Sequence, residues 1–140
     1  MALPICEASA SSVLHDDEEA FGAHFAIDGR ADTLWNSAGG AAQRLSLRLA
    51  ARARVRAVEL VFQGGFVGQE LEVTGSAAGS SGGAGAAAPP LLLGRFQPRD
   101  CNERQRFELG APAEVDEVAL HFAGSTDFYG RIVLYSVELF

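Results

Sequence analysis

Lysine is absent from the chain. All 11 basic residues are arginine, set against 18 Asp and Glu, for a formal net charge of −7. That balance argues against a general binder of nucleic acid or of anionic membrane, because both reward clustered positive charge. Cysteine is scarce too: Cys6 and Cys101 stand alone, whereas secreted domains that rely on disulfides carry more, at spacings that read as a framework. Residues 1–14 contain neither a basic n-region nor an apolar h-region. No window approaches the roughly 18 apolar residues needed to span a bilayer. Together these predict a soluble, intracellular, reduced protein rather than a secreted one. Catalytic patterns are missing as well. His15, His24 and His121 have no zinc-ligand spacing, and there is no nucleophile elbow, P-loop or Rossmann glycine pattern. An enzyme is not expected.

What remains is a 140-residue chain with 48% apolar and 21% charged residues, a globular balance that excludes wholesale disorder. Its size fits one domain with a core of its own. The period is that of strands. Leu45, Leu47 and Leu49 alternate with Arg44, Ser46 and Arg48 in residues 43–50, and Val58, Leu60 and Phe62 repeat the pattern in residues 55–62. Leu71 and Val73 do so in residues 69–74, Phe107 and Leu109 around Arg106, and Val118, Leu120 and Phe122 in residues 115–122. Residues 91–96 read as a further strand, with 12–14 a further short candidate. Residues 131–140 are apolar at nearly every position, as in a central strand covered on both sides. Helical signal is confined to residues 17–25, material for a turn or two with Asp16 or Asp17 as N-cap. The sum is about eight short strands, an all-β antiparallel sandwich or barrel. Residues 75–90, GSAAGSSGGAGAAAPP, break the pattern. They read as an expanded loop within one domain spanning 1–140, since the flanks are each too small to fold alone and loop closure costs little per added residue.

Residues 24–37 read HFAIDGRADTLWNS. Phe25 and Ile27 anchor the segment, Gly29 permits a tight turn after Asp28, and Asp28, Asp32 and Thr33 offer oxygens that shape the loop. Trp35, the only tryptophan, is expected to cover an open end of the sandwich. The segment resembles the A-x-D-G-x-x-x-T-x-W signature of discoidin or coagulation-factor (F5/8) type C domains, the galactose-binding-like jelly rolls. SSVL (11–14), VELVFQGGF (58–66), AEVDEVALHF (113–122) and TDFYGRIVLY (126–135) narrow the resemblance. It is to small intracellular members named in animals for association with a testicular orphan nuclear receptor. The resemblance implies a jelly-roll β-sandwich without catalytic activity, acting through protein contacts and described as a repressor of receptor-driven transcription. Related small jelly rolls serve as subunits of intraflagellar transport complexes, which makes a ciliary assembly the alternative to a cytoplasmic or nuclear one.

Three constellations follow as candidates. Asp28, Asp32 and Thr33 are hard oxygens on one turn, of the kind that suits Ca²⁺. The resemblance adds Glu138 to that set, and the competing reading is a turn capped by hydrogen bonds without an ion. The loops at one end of the sandwich carry Asn36, Phe66, Arg104, Asp127, Phe128 and Tyr129. These read as a partner-binding rim, with a sugar or lipid site the less favoured use and a core plug the competing reading for Phe66 and Phe128. Gly64, Gly65 and Gly130 serve its backbone, and Arg131 is placed to pair with Asp127. Finally, Arg44, Arg48, Arg52, Arg54 and Arg56 form a run free of acids that offers a basic patch to an acidic partner, or simply a solvated face.

Overall fold

The computed structural model describes residues 2–40, 42–77 and 90–140. Seven antiparallel strands run in the order β1 (Ile5–Ala10), β2 (Trp35–Asn36), β3 (Gln43–Phe62), β4 (Gly68–Ser76), β5 (Leu91–Phe96), β6 (Gln105–Ser125) and β7 (Val133–Leu139). Two of them, β3 and β6, are twice as long as expected, and each serves both layers of a sandwich. The first half of β3 pairs with β1 on one side and with the second half of β6 on the other, as in Leu45 opposite Leu120. β4 and β5 extend that layer. The second half of β3 pairs with the first half of β6, as in Val58 opposite Phe107, and with β7, which also meets β2.

The change of layer happens where the register slips. Between Arg48 and Ala53 extra residues accumulate on β3, and between Val55 and Ala57 a compensating surplus falls on β6. Bulges of this kind bend strands and sharpen their twist without ending them. This is why the expected strands 43–50 and 55–62 form one element, and likewise the run at Arg106 and residues 115–122. The alternation survives the bend: Leu45, Leu47, Val58, Leu60 and Phe62 are all fully buried, as are Val118 and Leu120. Phe62 and Phe122 meet edge to face across the layers, ring centres 5.9 Å apart. Each such buried side chain contributes about 1.5–3 kcal/mol of transfer free energy.

Other expectations are corrected in detail. Residues 12–14 are not a strand. Ser11 and Ser12 donate their hydroxyls to the Gln43 side chain at 2.8 and 2.6 Å, turning the chain off the β3 edge, and Val13 leads into a 3-10 turn. The N-terminal strand lies earlier, at β1. β7 is not a centrally covered strand, because β2 reaches it at only two positions and Tyr135, Ser136 and Glu138 are half-exposed. The helical turn is the short α1 (Glu18–Phe21), capped by the Asp17 carboxylate, which accepts from the Ala20 N–H at 3.1 Å. β4 runs to Ser76, so the expected 75–90 loop begins later than its composition suggested, and its stretch 78–89 falls outside the described residues. No helix among the described residues is long and apolar enough to cross a membrane.

Candidate functional site

Four connections meet at one end of the sandwich, and their hydrogen bonds weave them together. The β3–β4 loop receives the side chains of the β5–β6 loop: Asn102 Oδ1 accepts from the Gly64 N–H and Asp100 Oδ1 from the Gly65 N–H, both at 2.7 Å. It also holds the β6–β7 loop, with Thr126 N–H donating to Val67 O and Val67 N–H to Thr126 Oγ1, both at 2.9 Å. The β2–β3 loop closes the circle, Gly40 N–H donating to Tyr129 O at 3.0 Å.

On this base stands the segment 126–131. The Arg131 guanidinium binds Asp127 through two nitrogens, at 2.9 and 3.3 Å, and the Arg131 N–H donates to the same carboxylate at 3.1 Å. Those hydrogen bonds and the adjacent positive charge hold the Asp127 carboxyl below its ordinary pKa. Arg131 also lies over the rings of Phe66 and Tyr129, at 5.3 and 5.5 Å from their centres, a cation–π arrangement. Gly130 takes φ +84°, and a Cβ there would collide with Gly40 O. The result is a fixed loop carrying Phe128, 93% exposed, and Tyr129, 68% exposed, packed edge to face. Among the described residues the exposed large apolar side chains are these two and Leu91 and Leu92 on β5. Phe128 is therefore no core plug, and Phe66, half-buried under Arg131, belongs to the platform.

The other rim candidates separate. Asn36 sits in β2 opposite Val133, half-buried, its side-chain oxygen out of solvent and without a hydrogen-bond partner among the described residues. Arg104 leaves the aromatic tip altogether. Its guanidinium binds Glu138 at 2.7 Å and Glu59 at 3.3 Å, side chains of the neighbouring strands β7 and β3. Arg106 joins the same network by binding Glu59 at 2.8 Å.

Arg104 and Glu138 instead line a cleft of about 370 Å³ beside the turn 26–31, so the Ca²⁺ reading is decided by what the oxygens there already hold. Asp28 accepts from Thr33 Oγ1 at 2.7–2.8 Å and from the Arg30 N–H at 2.9 Å. Asp32 takes the Arg30 guanidinium at 3.2 and 3.3 Å, which pulls its carboxyl pKa down. Glu138 takes Arg104. Two of the three carboxylates are met by guanidinium groups, and among the described residues no three His, Cys, Asp or Glu gather as a metal would require. Ca²⁺ collects about six to eight oxygens, and this donor set does not fit it. Gly29, at φ +75°, completes a turn held by hydrogen bonds.

The arginine run does not make one patch. Arg48 pairs with Glu7 at 3.6 Å and Arg52 with Asp116 at 3.5 Å. Arg44 lies in the first half of β3, and Arg54 and Arg56 lie beyond the register slip. The three histidines are scattered, His121 bonded to Thr74 Oγ1 at 3.1 Å and His24 packed at a tilt against Phe25.

No family model matches the chain, but individual proteins do. It is 33% identical over 133 residues to the nuclear receptor 2C2-associated protein of Danio rerio, covering 95% of this chain and 89% of the relative. To the protein of the same name in Homo sapiens it is 32% identical over 139 residues, covering 99% and 94%. Among solved structures it is similar to chitosan-binding module 1 of a Paenibacillus chitosanase/glucanase, with a TM-score of 0.77 and 21% identity over 99% of this chain and 96% of that one. A Clostridium perfringens CBM32 module in complex with GalNAc-β-1,3-galactose gives a TM-score of 0.79 at 18% identity over 100% and 99%. The F5/8 type C domain of a Bacteroides fragilis protein gives 0.76 at 16% over 99% and 95%. At these identities the structures establish the fold, the galactose-binding-like sandwich that the 24–37 motif predicted.

Proposed function

Because the chain belongs to the nuclear receptor 2C2-associated protein family, we propose that it is a non-catalytic protein-association module, a single jelly roll that docks on a receptor-type partner inside the cell. The observation that supports this is the loop tip at 126–131. An aromatic pair stands in solvent there, on a backbone tied down by hydrogen bonds from the neighbouring loops. Aromatic side chains are enriched at the cores of protein interfaces, where their large area is desolvated at little conformational cost. A catalytic reading has no comparable support: at the tip Asp127 and Arg131 are committed to each other. A regulator of receptor-driven transcription fits this role, as does a subunit of a ciliary assembly, and in either the partner sets the location.

Titration of the purified chain against purified nuclear receptor 2C2, by calorimetry or biolayer interferometry, tests the reading. Saturable binding of one chain per receptor subunit is expected. No binding to the receptor, together with saturable binding on a glycan array, would overturn it in favour of a carbohydrate module.

A further inference from the structure

We infer that Phe128 is the anchor of that association, inserting into an apolar socket on the protein partner, and that the Asp127–Arg131 pair is the positioning device that holds it out. The inference rests on the protein-association reading and goes further by naming the residue and the chemistry of the complementary surface. The backbone of this loop is asymmetric. Asp127 N–H donates to Ser125 Oγ at 3.0 Å, and Ser125 Oγ in turn donates to Arg131 O at 2.6 Å. Thr126 is bonded to Val67, Tyr129 O accepts from Gly40, and Gly130 N–H donates to Asp127 O at 3.0 Å. Among the described residues, every residue from Ser125 to Arg131 except Phe128 is tied in this way. Phe128 sits at the centre of the pinned arch, 93% exposed, with its ring in edge-to-face contact with Tyr129 at 5.2 Å.

A ring held so far into water does little for the fold. What it gains is a binding geometry in which the loop entropy has been lost before the partner arrives, and such preorganisation raises affinity. The shape is convex, so the matching surface is concave. The charge at its base cancels, Asp127 against Arg131, so the socket needs no ion to match it. The same neutrality separates a protein socket from a membrane. A lipid-inserting tip on a chain of net charge −7 would need a basic collar to reach an anionic surface, and the arginine nearest this tip is already neutralised.

The test uses the intact chain and purified nuclear receptor 2C2. Phe128→Ala is expected to raise Kd about thirtyfold or more while the melting curve stays that of wild type, because the ring is exposed. Phe128→Leu should recover part of the affinity and Phe128→Gln none. Arg131→Lys and Asp127→Asn should each weaken binding severalfold and loosen residues 125–131 in amide ¹⁵N relaxation. Their effect on Kd should vanish in the Phe128→Ala background, which a merely structural role would not produce. Receptor binding that survives Phe128→Ala overturns the anchor while leaving the protein-association reading intact. Clamp effects that persist in that background overturn the positioning role. A wild-type chain that binds no receptor and binds a glycan array saturably defeats the association reading and the anchor with it. Binding to phosphatidylcholine–phosphatidylserine vesicles that is lost with Phe128→Ala would replace the socket by a membrane.

Discussion

Trp35 lies wholly out of solvent and donates its indole N–H to Ser12 O at 3.0 Å. It thus ties the motif segment to the N-terminal turn as well as filling the core. Trp35→Ala removes the largest buried side chain and leaves the Ser12 carbonyl without its donor. A loss of about 3–5 kcal/mol is expected, to be read as a shift in urea midpoint; a variant that melts like wild type would place the ring outside the core. At the rim, Asp127 is the residue whose charge matters. Arg131 lowers its pKa in the folded protein, first through the side-chain hydrogen bonds between them. A carboxylate depressed by folding contributes stability that is present above its unfolded pKa and is lost as pH falls through the folded one. The 126–131 loop should therefore loosen only at and below the ordinary carboxylate range. Amide exchange of residues 125–131 measured across that range checks the sign. Asp127→Asn should show the loosened loop already at neutral pH, with its acid dependence flattened.

At the scale of elements, the strands were legible wherever apolar and polar residues alternate, because a half-buried layer imposes that period on any sequence that forms it. The fusion of four expected strands into β3 and β6 was not, since a bulge is set by the pairing partner and not by the segment itself. Residues 51–54 and 110–113 carry arginine, alanine, glycine and proline that read equally well as a turn. β1 escaped because ICEASA alternates only weakly and is exposed at half its positions. The site divides in the same way. DFYGR shows its aromatics and its Asp–Arg spacing in one continuous stretch, whereas nothing near Arg104 in the sequence shows that its guanidinium turns from the tip onto the sheet face, because its partners, Glu59 and Glu138, come from distant strands. One contact between elements was invisible in the sequence and is open to test. Gly68 opens β4 directly against the ring of Phe122, so that a Cβ at this position would fall on the ring carbons. Phe122 is buried against Phe62 and has nowhere to go. Gly68→Ala is expected to destabilise by about 1–3 kcal/mol through overpacking, measured by the urea midpoint.

The whole molecule carries a net charge of −7, yet most of the arginines with named partners are matched to acids, so the surface is a mosaic of local pairs on an acidic background. Arg30 with Asp32, Arg48 with Glu7, Arg95 with Glu72 and Arg106 with Glu108 each lie exposed at 2.7–3.6 Å. Exposed pairs of this kind stabilise by at most about 1 kcal/mol and fade with salt, and they neutralise these arginines locally. Association through Phe128 buries an uncharged ring at an electroneutral base, and hydrophobic burial is not screened by ions. The affinity for receptor should therefore change by no more than about threefold between roughly 50 and 500 mM NaCl, a range over which the Debye length shrinks from above 10 Å to near 4 Å. Binding carried instead by the arginines of β3 would weaken steeply over the same range, as phosphate- or carboxylate-directed contacts do. Kd measured at four or five salt concentrations separates the two. A flat profile with Phe128→Ala inactive assigns the interface to the aromatic tip, and a steep profile moves it to the charged face of the sandwich.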